Sequence, residues 1–130
     1  MLMTADTLKY LYMGGRIGRA RHLGTLLNIK PIISMQEGII VAAGQTRSMA
    51  QAFARIVELM AERGAAEGPI KMGTTQAAAP ERAREMLQAV TQSYDCRQVL
   101  TSQLSPVLGV HTGVGTVGVN FFPVPPEPAW

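Results

Sequence analysis

Cysteine occurs once in these 130 residues, at Cys96, which excludes an internal disulfide and every metal site built on several thiolates. Aromatic residues make up 5% of the chain, too few for the stacking surface of a nucleic-acid binder. No apolar run approaches the roughly 20 residues of a membrane-spanning helix. Charge of one sign is also scarce: the formal net charge is +3, and the basic residues are dispersed apart from Arg16, Arg19 and Arg21 near His22. Met1 to Tyr10 shows no charged stretch followed by an apolar core and a cleavage site, so a reducing cytoplasm is the expected compartment.

Hydrophobic residues reach 47%, a composition suited to one globular domain and unsuited to a disordered one. Glycine is concentrated in Ser105 to Val119, an apolar stretch that also carries His111 and Thr112. Glycine weakens helices and strands alike, so its repeated use here points to backbone held close to another backbone or to a ligand.

Periodicity predicts a mixed pattern. Thr4 to Met13 reads as a short helix stopped by Gly14 and Gly15, and Arg19 to Asn28 as a second helix. Ile29 to Gln36, a Glu37-Gly38 turn and Ile39 to Ala43 read as a β-hairpin. Ser48 with Gln51 three residues on is a capping-box signature. Met49, Ala52, Phe53, Ile56, Val57 and Met60 then keep helical spacing to a stop at Gly64. Pro69 to Gln76 reads as a strand, Glu81 to Gln92 as a helix led by Pro80, and Cys96 to Leu104 as a further strand. Val117 to Phe122 adds a last strand. These elements predict an α/β fold bordering on α+β, with helices packed on a small mixed sheet that includes the hairpin. The domain is expected to span residues 1–122, with the proline-rich stretch 123–130 an extended or disordered tail.

Several motifs carry both a structural and a chemical reading. Gly113, Gly115 and Gly118 fit G-x-G-x-x-G, but the residues after Gly118 are proline-rich and cannot supply the helix that a dinucleotide site needs. No lysine comes after the glycines, which excludes a phosphate loop. His111 is open to three readings: a structural residue satisfied by backbone, a ligand contact, or a catalytic base. Nothing in the sequence assembles a nucleophile and base, so no catalytic residue, metal site or cofactor is assigned. Arg16 and Arg19, which flank Gly14-Gly15 and Gly18, read either as a fork for a carboxylate or phosphate or as a solvated cap. Arg47 lies at the positive end of the Met49 helix, which leaves a salt bridge or an anion contact as its readings. Met49, Met60, Met72 and Met86 read as core, and Cys96 as a small core residue.

Leu8-Lys9-Tyr10-Leu11, Gly14-Gly15-Arg16-Ile17-Gly18, Leu26 to Ile32, Gly38, Gly44, Arg47 and the run Pro106 to Gly115, in this order and spacing, resemble the C-terminal domain of the DegV family. One departure is Val114, where the family commonly has proline between the last two glycines. The resemblance implies a two-domain lipid-binding α/β protein that buries a long-chain fatty acid, in some members for presentation to a fatty-acid kinase. By matching position it puts forward Arg16, Arg47 and His111 around the carboxylate and the kinase-facing surface, and Thr112 and Gly113 of the same closing motif join them as expected ligand-binding residues. It implies no enzymatic activity of the chain itself.

The resemblance covers one half of such proteins. The domain whose hydroxyl residues hold the carboxylate in the family has no counterpart among these residues, so the face that would meet it is expected to be apolar and exposed. Two readings arise. The chain is a fatty-acid-binding module, alone or by self-association, or it is a non-catalytic interaction domain that needs an N-terminal DegV-like half to bind lipid.

Overall fold

A computed structural model of the chain describes residues 1–16 and 28–125. The helix expected over Arg19 to Asn28 therefore lies outside the described residues, apart from its last position, as do residues 126–130 of the expected tail.

Among the described residues, ten elements occur in chain order: β1 (Leu2–Thr4), α1 (Lys9–Met13), β2 (Lys30–Gln36), β3 (Ile39–Thr46), α2 (Met49–Glu62), β4 (Ile70–Gln76), α3 (Pro80–Ser93), β5 (Cys96–Gln103), α4 (Pro106–Thr112) and β6 (Val117–Pro123). The strands form one six-stranded mixed sheet in the order β3-β2-β1-β6-β4-β5. All neighbours are antiparallel except β4 and β5, which the α3 crossover joins in parallel.

Strand alternation divides the core between the two faces. Leu2, Ile32, Ile70, Met72, Val117 and Val119 point to one face and pack beneath Ile56 and Met60 of α2 and Met86 and Val90 of α3. Burying each of these larger side chains contributes about 1.5–3 kcal/mol. Met3 and Ile33, one residue out of phase, point to the other face and meet Leu8 and Leu11 beside α1.

The hairpin, α2, β4 and β5 agree closely with their sequence signals. Glu37 and Gly38 both take the left-handed conformation that a two-residue hairpin turn requires. The Ser48 hydroxyl accepts the Gln51 N–H at 3.2 Å. Gln51 Oε1 accepts from the Arg47 N–H and not from Ser48, so the capping box is displaced by one residue. At α3, Pro80 occupies the first turn and the buried Gln76 Oε1 accepts the Ala79 N–H at 2.6 Å.

Two elements differ from expectation. The Thr4 to Met13 helix is in fact strand β1, a bend, and the shorter α1, because Thr4 is fully buried between Ile32 and Val117, and pairing on both sides outweighs its capping tendency. The glycine-rich Ser105 to Thr116 segment contains helix α4, opened by Pro106 at its first turn. At the C-terminal end, Pro123 pairs with Ile70, and the Val124 N–H donates to the Pro69 carbonyl at 2.9 Å.

Candidate functional site

Helices α1 and α4 are joined by two reciprocal notches. At Gly14, the C-cap of α1, a methyl group would lie 2.6 Å from His111 Nδ1, so the imidazole rests directly on glycine backbone. At Gly113, the C-cap of α4, a methyl group would lie 2.6 Å from Tyr10 Cδ2, and φ is +87°. Each helix thus ends in a glycine that receives a ring from the other, and Gly113 needs glycine for its conformation as well. At Gly113 the close approach is thus to a side chain of α1, where a backbone or a ligand was expected.

Arg16 joins the same point. Its Nη1 donates to the Gly14 carbonyl at 2.7 Å, which brings the guanidinium and the imidazole to one glycine. Thr112, on the turn after His111, is buried and donates its hydroxyl to the Leu108 carbonyl at 3.3 Å. Thr116 Oγ1 donates to the Thr112 and Gly113 carbonyls at 3.0 and 2.8 Å, closing the loop beneath α4.

Arg16, His111 and Thr112 line a groove of about 730 Å³ on the sheet face opposite α2 and α3. Met3, Leu11, Ile33, Ile40, Leu104 and Leu108 supply apolar wall, while Thr75, Ser102 and Asn120 add polar groups from β4, β5 and β6. The volume falls within the range of about 300–1,000 Å³ common for small-molecule sites. The surrounding surface is apolar and exposed: Val107 is 73% accessible, Val110 65%, Leu108 53% and Met35 48%. Gly113 lies in an adjoining depression on the other side of α4, with Tyr10, Val110 and Val114. Arg47 is exposed before α2 and is not among the groove's lining residues.

Sequence reasoning singled out the cationic and histidine positions, but missed the polar floor of Thr75, Ser102 and Asn120. Their signal was present as alternation: Thr75 falls between buried Thr74 and Gln76 on β4, facing away from the helices. Among the described residues no three His, Cys, Asp or Glu side chains cluster to hold a metal ion. Among them, too, no helix is long and apolar enough to cross a membrane.

A mixed sheet with α2 and α3 on one face and a grooved apolar surface on the other defines an α/β fold with one helix-covered and one open sheet face. The model of the DegV family, described as an uncharacterised protein family, matches residues 1–124, and the chain belongs to that family. A DegV domain-containing protein of Streptomyces coelicolor is 35% identical over 116 residues, which are 88% of this chain and 41% of the relative. One from Halalkalibacterium halodurans is 30% identical over 122 residues, 93% of this chain and 43% of the relative. The chain thus spans about two-fifths of the length of these relatives. A DegV family protein from Thermus thermophilus, described as fatty-acid binding, superimposes with a TM-score of 0.86 at 30% identity, covering 95% of this chain and 45% of that one. A DegV family protein from Corynebacterium glutamicum gives 0.82 at 27% identity, covering 98% and 49%.

Proposed function

We propose that this chain binds a long-chain fatty acid in the groove between α1, α4 and the open sheet face. The acyl chain lies on Met3, Leu11, Ile33 and Ile40, and the carboxylate lies where Arg16, His111 and Thr112 converge. The single observation that carries the reading is an apolar groove of about 730 Å³ with a cation and an imidazole at one glycine of its rim. An acyl chain gains about 0.8 kcal/mol per buried CH2. A carboxylate leaving water needs charge-assisted partners to offset its desolvation. The fatty-acid-binding description of the Thermus thermophilus protein supports the assignment.

The role is binding and presentation, without catalysis by the chain. Cys96 fits that reading, since burial, with the nearby Asp95 charge adding to it, pushes its thiol pKa up and away from a reactive thiolate. A cytoplasmic location and a fatty-acid kinase as recipient of the lipid belong to the same proposal. Arg47, apart from the groove, serves in it as a contact for such a partner.

One observation favours the second reading, that the groove is half of a site. Val107, Leu108, Val110 and Val114 are all more than half exposed in a chain that spans 41–45% of its relatives. A second DegV-like domain, or a second copy, would cover them. Native mass spectrometry of the purified chain separates the readings. Added mass fitting a long-chain fatty acid supports the module. A bare chain that gains lipid when an N-terminal DegV-like domain is supplied supports the half-site, and a chain that stays lipid-free under both conditions refutes the function.

A further inference from the structure

Asp6, in the bend between β1 and α1, is not among the groove's lining residues, yet it is the most connected carboxylate near them. Its Oδ1 accepts from Lys30 Nζ at 2.8 Å, at the start of β2, and its Oδ2 accepts from Arg82 Nη1 at 2.8 Å, in the first turns of α3. The same Arg82 nitrogen also donates to the Gly115 carbonyl at 3.0 Å, in the loop between α4 and β6. A single carboxylate therefore ties together three segments that are far apart in sequence.

The Gly115 loop is shaped for this contact. A methyl group at Gly115 would collide with Asp6 Oδ2 and with the Arg82 guanidinium, and the residue's φ is +91°. The Gly115 N–H donates to the Ala77 carbonyl at 2.8 Å, while the Ala77 N–H donates to the Thr116 carbonyl at 2.9 Å. Thr116 in turn holds the Thr112 and Gly113 carbonyls. A series of hydrogen bonds runs from Asp6 through Arg82 to Gly115, through Ala77 to Thr116, and from Thr116 to the carbonyls of Thr112 and Gly113 beside His111.

We propose that Asp6 is a positioning residue for the groove rim: through Arg82 it fixes the Gly113–Thr116 loop, and with it the placement of His111 and Thr112 against α1. Solvent-facing helix pairs such as Arg55 with Glu58 stay within one element and can be lost without moving a second one. The Asp6 pairs join different elements, and their geometry is transmitted to the rim. The consequence for ligand binding rests on the fatty-acid reading, but the consequence for the loop does not.

The test compares Asp6→Asn, Arg82→Gln and the double variant with the parent chain, using three readouts. Amide NMR and hydrogen exchange report the loop, binding of palmitate reports the rim, and thermal denaturation reports the fold. The expected result is a folded Asp6→Asn chain with shifted Thr112–Thr116 amides and a shifted His111 ring. Exchange at the Gly115 amide should quicken, and palmitate affinity should fall roughly tenfold, the scale of one lost charge-assisted hydrogen bond. The double variant should be no weaker than about the worse single one, because the two residues act through one contact. Unshifted loop and ring signals in a folded Asp6→Asn chain would overturn the proposal. Should Asp6→Asn fail to fold, Arg82→Gln answers the same question: its neutral amide removes the charge that pairs with Asp6 and the guanidinium that also holds the Gly115 carbonyl, so unchanged loop signals in a folded Arg82→Gln chain would again overturn it. If the parent chain binds no palmitate, the fatty-acid reading fails while the loop measurements still decide the role of Asp6.

Discussion

Gly14→Ala separates two effects that usually travel together. Gly14 sits at φ −82° and ψ 1°, a conformation open to alanine, so backbone strain plays no part. Replacing glycine at such a position stabilises a protein by about 0.4–1 kcal/mol through the unfolded chain. Against that, the new methyl would lie 2.6 Å from His111 Nδ1 and 3.2 Å from its Cε1, with the Tyr10 carbonyl also at 3.2 Å. Overpacking of this kind costs about 1–3 kcal/mol. The net expectation is a loss of about 0.5–2 kcal/mol, read in thermal denaturation by circular dichroism as a fall of about 2–8 °C. In a His111→Ala background the ring is gone, and the same Gly14→Ala change should cost at least about 1 kcal/mol less, becoming neutral or stabilising. An equal cost in both backgrounds would refute the claim that the imidazole rests on Gly14.

Further expectations concern the pair at Asp6, the core and the groove cations. Burial alone would raise the Asp6 carboxyl pKa, but the hydrogen bonds and charges of Arg82 and Lys30 outweigh it and hold the group below the ordinary carboxylate value. Its contribution is therefore present above the unfolded pKa of about 3.9 and lost as pH falls through the folded value. With both side chains about a third exposed, this amounts to at most about 1 kcal/mol, and Asp6→Asn should flatten urea stability against pH below about pH 4. Met60→Ala, at a site with no solvent exposure, should lower urea stability by about 2–5 kcal/mol. Arg16→Ala should weaken palmitate binding by roughly tenfold in a fluorescence titration. Arg47→Ala should leave it within about twofold, as Arg47 does not line the groove.

Elements whose sequence signal is local were readable in advance. The Glu37-Gly38 turn, the Ser48 cap with the apolar stripe of α2, and the Pro80 start of α3 each declare themselves within a few residues. What escaped depends on distant partners. Nothing around Leu2 to Thr4 announces a central strand; β1 exists because β2 and β6 flank it on both sides. Helix α4 was hidden by Gly109 and by the glycines beyond it, although Pro106 marked its start. The site divides in the same way. Arg16, His111 and Thr112 stood out through glycine neighbours and family motifs. The Gly14–His111 and Gly113–Tyr10 notches, and the series running from Asp6 to Thr116, join residues so far apart in sequence that a single chain gives no cue to their meeting.

The most direct test of fatty-acid binding in this groove is a titration of the chain with palmitate observed by amide and methyl NMR. Binding there predicts saturable shifts at Met3, Leu11, Ile33, Ile40, Thr75, Leu104 and Leu108, with the His111 ring moving in parallel and Met60, Met86 and Val90 of the opposite face unchanged. Shifts confined to the α2 and α3 face, or none at palmitate concentrations that saturate a full-length DegV protein, would contradict it.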